Sequence, residues 1–325
     1  MHGYSVHGLV SRDLPEPLDS LLQSEGDTSV DEEDQYGCSP LVAAIKSRRC
    51  SRDMIRVLTK HGASLGPCKA VGGVTPLALA AGLGYTDCVR ALIEEASGSP
   101  DACGAAGETS LHMACKNGAT ETVKYLLSVG AFVDTRDHSG LTPLGWACAM
   151  GRLDTARVML TGDGWLTAQL HQPLRNLPQD VRSCIAGYLL PSVHAIDDTG
   201  TPLALMACQH KGGVGILTLL GRHGVDLAKL TDCNGQTALH VVSSFKCFKH
   251  LSLRHAYGNH HGLQACKRGN VELAKYLIHQ WSADPYACDN KGWLPGHARD
   301  IDVPCYDLAG ITELLLTARR SISIK

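Results

Sequence analysis

The chain has 325 residues, with 30 lysines and arginines against 32 aspartates and glutamates and a formal charge of −2, so no broad positive field invites a nucleic-acid backbone or an anionic membrane surface. No run approaches the roughly 20 apolar residues that span a bilayer, and the start has no basic stretch followed by an apolar one. The 14 cysteines include no Cys-x-x-Cys pair, which argues against a disulfide framework and favours reduced thiols in a cytosolic, or else nuclear, setting.

From the N-terminus, LDSLLQSEG at 18–26 predicts a helix, the second of a partial capping unit, and Asp31, Glu32, Glu33 and Asp34 place an acidic hairpin after it. One phrase then recurs: GCSPLVAAI at 37–45, GVTPLALAAGLG at 73–84, GETSLHMACKNG at 107–118 and GLTPLGWACAMG at 140–151. Its hydroxyl residues Ser39, Thr75, Thr109 and Thr142 lie 36, 34 and 33 residues apart, a period close to 33. Each phrase predicts a short helix. The hydroxyl accepts from a free backbone N–H of the first turn, proline fits that turn, and the small residues let a partner helix approach. Gly84, Gly118 and Gly151 supply the left-handed exit. VRALIEE at 89–95, TVKYLLSVGA at 122–131, ARVML at 156–160 and ILTLLGRHG at 216–224 predict the partner helices. Ordering about 33 residues costs roughly 50 kcal/mol of conformational entropy, more than two short helices offset, so the units must stack.

Two longer intervals interrupt the series. From Thr142 to Thr201 there are 59 residues and from Thr237 to Leu294 there are 57, each one period plus an insertion. At Thr201 the register is one residue out of step, because Gly200 directly precedes the threonine. The first insertion, 166–191, carries an apolar helical stripe of Leu166, Leu170, Leu174, Leu177, Val181, Ile185 and Leu189, divided by Pro173 and Pro178 and stopped by Pro191. Its simplest reading is an irregular helical repeat. The second insertion, 242–264, separates TALHV from ACKRGNVELAKYLI, which joined would make one unbroken unit. It begins Val-Ser and ends Gln, as GTGAGT and CAG ends would encode, and is read as a retained in-frame intron or as a genuine loop. His250, His255, His260 and His261 lie there beside Cys247 and Cys266, without the tight ligand pairs of a zinc site. Near the end, GITELLL at 310–316 predicts a last second helix.

The recurring phrase resembles the ankyrin repeat, whose signature runs Asp-x-x-Gly-x-Thr-Pro-Leu-His-x-Ala-Ala. The resemblance covers most of residues 14–316 and implies an all-α fold, a solenoid of about seven helix-turn-helix units with hairpin loops. The expected layout is a tail and capping half-repeat at 1–33, repeats at 34–165, a helical insertion at 166–196, repeats at 197–316 broken at 242–264, and a tail at 317–325. His112 and His240 occupy the family's Leu-His step, where the resemblance implies a structural hydrogen bond. LPQDVRSCIAGYL at 177–189 is similar to F-box-like helices, which would imply a ubiquitin-ligase adaptor recruiting a Skp1-like protein.

Cys115, Cys148, Cys208 and Cys266 take the second small position of their repeats and are expected to be buried rather than nucleophilic. Leu79, Met113 and Trp146 recur one per repeat and are expected in the core, with the Trp146 indole large for its place. By carry-over from the family, binding falls on the hairpin tips and on the concave side of the first helices. The tip residues are Gln35, Tyr36, His138, Ser139, Asn234, Gln236, Asn290, Lys291 and Trp293. The variable positions after the small pair are Lys46, Ser47, Gly82, Leu83, Lys116, Asn117, Ala149, Met150, Lys267 and Arg268. Apolar Leu83 and Met150 between polar or basic neighbours suit a partner with an apolar anchor and an acidic rim. There is no glycine-rich phosphate loop, nucleophile elbow or metal-ligand spacing. The expectation is therefore a monomeric, non-catalytic protein-binding scaffold without cofactor or metal, whose partners are one or more proteins and not nucleic acid or membrane.

Overall fold

The computed structural model describes residues 5–24, 29–47, 51–162, 190–209, 213–243, 271–295 and 313–318. It divides into two compact units, Met1–His138 with Thr161–Leu190, and Ser139–Leu160 with Pro191–Lys325. Described residues contain no strand, only the isolated bridges Cys68 to Val74, Ile196 to Pro202 and Thr231 to Thr237 at hairpin necks.

The first unit is four helical pairs: α1 (Val6–Ser11) with α2 (Pro15–Ser24), α3 (Pro40–Lys46) with α4 (Arg52–Lys60), α5 (Pro76–Gly82) with α6 (Thr86–Glu94), and α7 (Ser110–Asn117) with α8 (Thr120–Ser128). First helices stack on first helices, α1 on α3, α3 on α5 and α5 on α7, and second helices do likewise from α2 to α8. The layers close on Leu41, Ile45, Ile55, Leu58, Leu92, Leu111 and Leu126, all fully buried. Thr75 Oγ1 accepts from Ala78 N at 3.1 Å and Thr109 Oγ1 from His112 N at 3.4 Å, as the phrase predicts. Ser39 holds the equivalent position of α3 without a side-chain cap bond, leaving proline at the first turn to set that end.

Charges run across the outer layer. Asp19 on α2 meets His61 and Lys60 at the end of α4. Arg52 on α4 reaches Glu94 at 2.7 Å and Glu95 at 2.8 Å, Arg56 also reaches Glu95, and the Arg90 guanidinium lies 4.3 Å over the Tyr125 ring. These groups are largely solvent-facing, so they fix register between neighbours more than they stabilise.

The second unit has α9 (Pro143–Ala149), α10 (Leu153–Thr161), α11 (Leu203–Ala207), α12 (Gly213–Arg222), α13 (Ala238–Ser243) and α14 (Val271–Trp281), and residues 313–318 are helical. α9 stacks on α11, α12 on α14, and α13 pairs with α14. The half-unit that TALHV lacks is thus supplied by VELAKYLI across the second insertion.

Two expectations change. The N-terminal unit has both helices rather than only the second. Ser5 Oγ accepts from Gly8 N at 3.1 Å to start α1, without the leucine at the second helical position that α3, α5, α7, α9 and α13 share. The one-residue slip at Thr201 also has a structural outcome. Thr201 holds the place of Cys38, its carbonyl accepting from Asp197 N as that of Cys38 accepts from Asp34 N. Pro202 therefore stands where a hydroxyl would cap, and α11 has five residues and no side-chain cap bond. Most of the 166–191 insertion, the F-box-like 177–189 segment, the bulk of 242–264 with its histidines, and Cys266, Lys267 and Arg268 lie outside the described residues.

Candidate functional site

The hairpin tips are built by a carboxylate. Asp34 Oδ1 accepts from Tyr36 N at 2.8 Å and Cys38 N at 2.9 Å. Asp197 does the same for Thr199 and Thr201, Asp232 for Asn234 and Gln236, and Asp289 for Lys291 and Trp293, all at 2.8 or 2.9 Å. The backbone bonds, led by that from Cys38, hold the Asp34 carboxyl below its usual range. The sequence signal was an aspartate three residues before each of these tip glycines. The family signature Asp-x-x-Gly carries it, but its capping of the tip amides shows only in the structure.

Four pairs of neighbouring hairpins are then stitched through backbone. Ala105 N donates to Gly73 O at 2.8 Å and His138 N to Ala106 O at 2.9 Å in the first unit. In the second, Asp198 N donates to Ser139 O at 3.1 Å and Asn290 N to Asn234 O at 2.9 Å. The last two bonds bridge the insertions, so the tips return to register despite the extra chain. The tip glycine is needed twice over. Gly140 has φ +74°, and a Cβ there would lie 2.6 Å from Asp198 N.

Because these stitches use main-chain atoms, the side chains of Gln35, Tyr36, His138, Ser139, Asn234 and Lys291 remain exposed, as expected of tip residues; Asn290 is exposed too, although its Nδ2 donates to Cys233 O at 3.2 Å. Tyr36 is 73% exposed, while Trp293 is less so and Gln236 is half-buried.

On the first-helix face of the first unit, Lys46, Ser47, Leu83 and Asn117 are exposed, with Leu83 at 45%, while the rest of α3 and α5 is mainly buried. Asn117 Nδ2 donates to Gly82 O at 2.9 Å, linking α7 to the end of α5. Lys116 is half-buried and paired with Glu108 at 3.0 Å, so its charge is already met within its own repeat. In the second unit Met150 is half-buried, and Ala149, expected at a variable surface position, is buried. Ala149 joins Leu141, Trp146 and Met206 in one cluster against which Met150 packs. The Trp146 indole, 4% exposed, thus packs within this cluster. Met206 continues the line of Leu79, Met113 and Trp146, hidden in the sequence by the slip at Thr201.

Cys115, Cys148 and Cys208 are buried as expected, and burial alone pushes the Cys148 and Cys208 thiols up to about 12. His112 Nδ1 accepts from Thr109 N at 3.1 Å and His240 Nδ1 from Thr237 N at 3.2 Å, so both histidines serve helix starts. Among the described residues no group of three His, Cys, Asp or Glu side chains could hold a metal ion, and no helix is long and apolar enough to cross a membrane.

Comparison with known proteins agrees with this geometry. The family described as "Ankyrin repeats (3 copies)" matches residues 7–102 and 97–167, and "Ankyrin repeat" matches 234–290. Human Rabankyrin-5 is 31% identical over 148 residues, 45% of this chain and 12% of that protein. The mouse B-cell lymphoma 3 protein homolog is 32% identical over 162 residues, 49% of this chain and 35% of that protein. Human Ankyrin repeat and SOCS box protein 16 is 35% identical over 85 residues, 26% of this chain and 18% of that protein. The matched stretches thus span only about an eighth to a third of these relatives. The crystal structure of the ankyrin repeat domain of Bcl-3 superposes with a TM-score of 0.56 at 24% identity, covering 74% of this chain and 94% of that one, a likeness of fold.

Proposed function

The chain belongs to the ankyrin-repeat family, and from that premise we propose that it is a non-catalytic module that binds a partner protein through the ends of its first helices and its hairpin tips. The observation that supports this reading most is the division of labour within each repeat of the first unit. Core, caps and tip stitching use buried or main-chain groups, while Lys46, Ser47, Leu83 and the tip side chains Gln35 and Tyr36 stay exposed. Leu83 is the apolar anchor and Lys46 the basic rim, so the partner segment carries an apolar side chain flanked by carboxylates.

The test starts from proximity labelling in the source cell to identify partners, followed by binding measurements with purified full-length chain. Leu83→Asp and Lys46→Glu should each weaken a partner by roughly tenfold or more, with melting temperature unchanged, while Lys124→Glu on outer helix α8 should not. Partners lost with Lys124→Glu and kept with Leu83→Asp would move the site to the outer face. A turnover abolished by a single cysteine or histidine change would overturn the non-catalytic reading.

A further inference from the structure

One polar pair is not accounted for by binding. Lys46 Nζ lies 3.3 Å from Cys38 Sγ. Cys38 follows the tip glycine Gly37 and is 3% exposed, and Lys46, eight residues on, closes α3 with its side chain at the surface. The third repeat after the N-terminal pair fills the same two positions with Glu108, following Gly107, and Lys116, held at 3.0 Å. The fold therefore brings these positions together twice, once as carboxylate and ammonium and once as thiol and amine. No ion pair among the described residues uses Lys46.

We propose that Cys38 and Lys46 form a hydroperoxide-responsive pair, in which sulfenic acid formed at Cys38 is captured by the Lys46 amine as a sulfur–nitrogen bond tying the first hairpin to α3. In the first step the sulfur attacks one peroxide oxygen. The S–O bond forms as O–O breaks, sulfur is oxidised, and the leaving oxygen takes the thiol proton and departs as alcohol, or as water from hydrogen peroxide. Lys46 gives one ammonium proton to solvent. Its lone pair then attacks sulfur, S–N forms as S–O breaks, and the departing hydroxide takes a second proton from nitrogen and leaves as water. One thiol, one amine and one hydroperoxide thus yield one sulfenamide, one water and one alcohol.

Other cysteines mark the contrast. Cys148 is fully buried and its thiol is pushed up by burial, and the Cys208 sulfur faces the carbonyl oxygen of Ala204 at 3.5 Å rather than an amine. Cys103 and Cys288 are exposed, but their sulfurs face the carbonyl oxygens of Asp101 and Tyr286. They serve as internal controls, free to oxidise with a carbonyl oxygen rather than a lysine amine at the sulfur. Formation of the bond removes the Lys46 charge from the face proposed to bind, yet the chemistry stands whether or not that face binds anything.

The experiment treats reduced full-length protein with limiting hydrogen peroxide, followed by trypsin and mass mapping. A bonded Lys46 resists cleavage, so the segment from Asp13 should run on to residue 48 and weigh two hydrogens less than its reduced sequence, a change reversed by a thiol reductant. Lys46→Arg should abolish the linked peptide while leaving Cys38 sulfenic acid open to trapping by dimedone, and Cys38→Ser should abolish both. In denaturant the yield should fall about tenfold or more as the enforced proximity is lost. Cys38 staying reduced while Cys103 and Cys288 oxidise, Cys38 appearing only in disulfides or higher oxyacids, or an undiminished yield in denaturant would each overturn the proposal.

Discussion

His240 Nε2 lies 2.8 Å from the carbonyl oxygen of Trp293 on the next hairpin. Thr237 N–H is an obligatory donor to Nδ1, so the ring proton sits on Nε2 and is given to Trp293 O. One neutral imidazole thus fastens its own helix start and the following repeat. His7 Nε2 stands in the same relation to Cys38 O at 3.0 Å, each carbonyl belonging to the residue after a tip glycine. His240→Ala should lower the unfolding free energy by roughly 1–3 kcal/mol, since both bonds are removed from a site that is almost fully buried. Urea titration of the full chain checks it, and a change within error would mean that water replaces the ring.

Gly140 and Gly224 both have positive φ, +74° and +90°, but differ in what surrounds them. Nothing lies within 4 Å of a Cβ at Gly224, so Gly224→Ala should cost only the left-handed backbone penalty, about 1–2 kcal/mol. Gly140→Ala should cost a further ~1–3 kcal/mol, because the Asp198 hairpin must withdraw. Comparing the two melting curves separates backbone conformation from hairpin approach.

Trp146 is 4% exposed among Leu141, Ala149 and Met206. Trp146→Ala should destabilise by about 3–5 kcal/mol, and Met150→Ala, at the half-buried rim of that cluster, by distinctly less. Equal costs in chemical denaturation would contradict the packing described.

Asp34 supplies a pH test. Its folded carboxyl is held below its unfolded value, chiefly by Cys38 N–H, so its contribution is fully present above about pH 4 and is lost as pH falls through the folded value. The melting-temperature gap between wild type and Asp34→Asn should be constant from about pH 5 to 7 and should narrow below about pH 4. A gap that widens on acidification would reverse the sign of the argument.

Where one side chain does one local task, the sequence was readable. Thr75, Thr109 and Thr142 cap as their position before a short helix dictates, and Cys115, Cys148 and Cys208 are buried because only small groups fit between paired helices. Where two residues exchange roles, it was not. Thr201 looks like a cap, but the missing residue after Gly200 hands that place to Pro202, and only the backbone pairing of Asp197 with Thr201 reveals it. Ala149 was misplaced because it shares a buried cluster with Trp146, Leu141 and Met206, of which Met206 comes from another helical pair. α1 went unseen because Ser5 opens a helix without the leucine at the second helical position that flags most of the others. Of the candidate surface, the exposed positions were legible from the repeat, but the Glu108 partner that meets the charge of Lys116 was not, since it depends on how the tip folds back over the helix end.

The hairpin-to-hairpin bonds donated by Ala105, His138, Asp198 and Asn290 run from main-chain amide to carbonyl, and Asn290 Nδ2 adds one side-chain bond to Cys233 O. Away from Asn290, cohesion through these main-chain bonds therefore depends little on the lettering of the tips, provided the glycine stays. Natural variation, or a laboratory graft, can rewrite Gln35, Tyr36, Asn234 or Lys291 at small cost to assembly, so specificity and stability are inherited from separate atoms of the same residues.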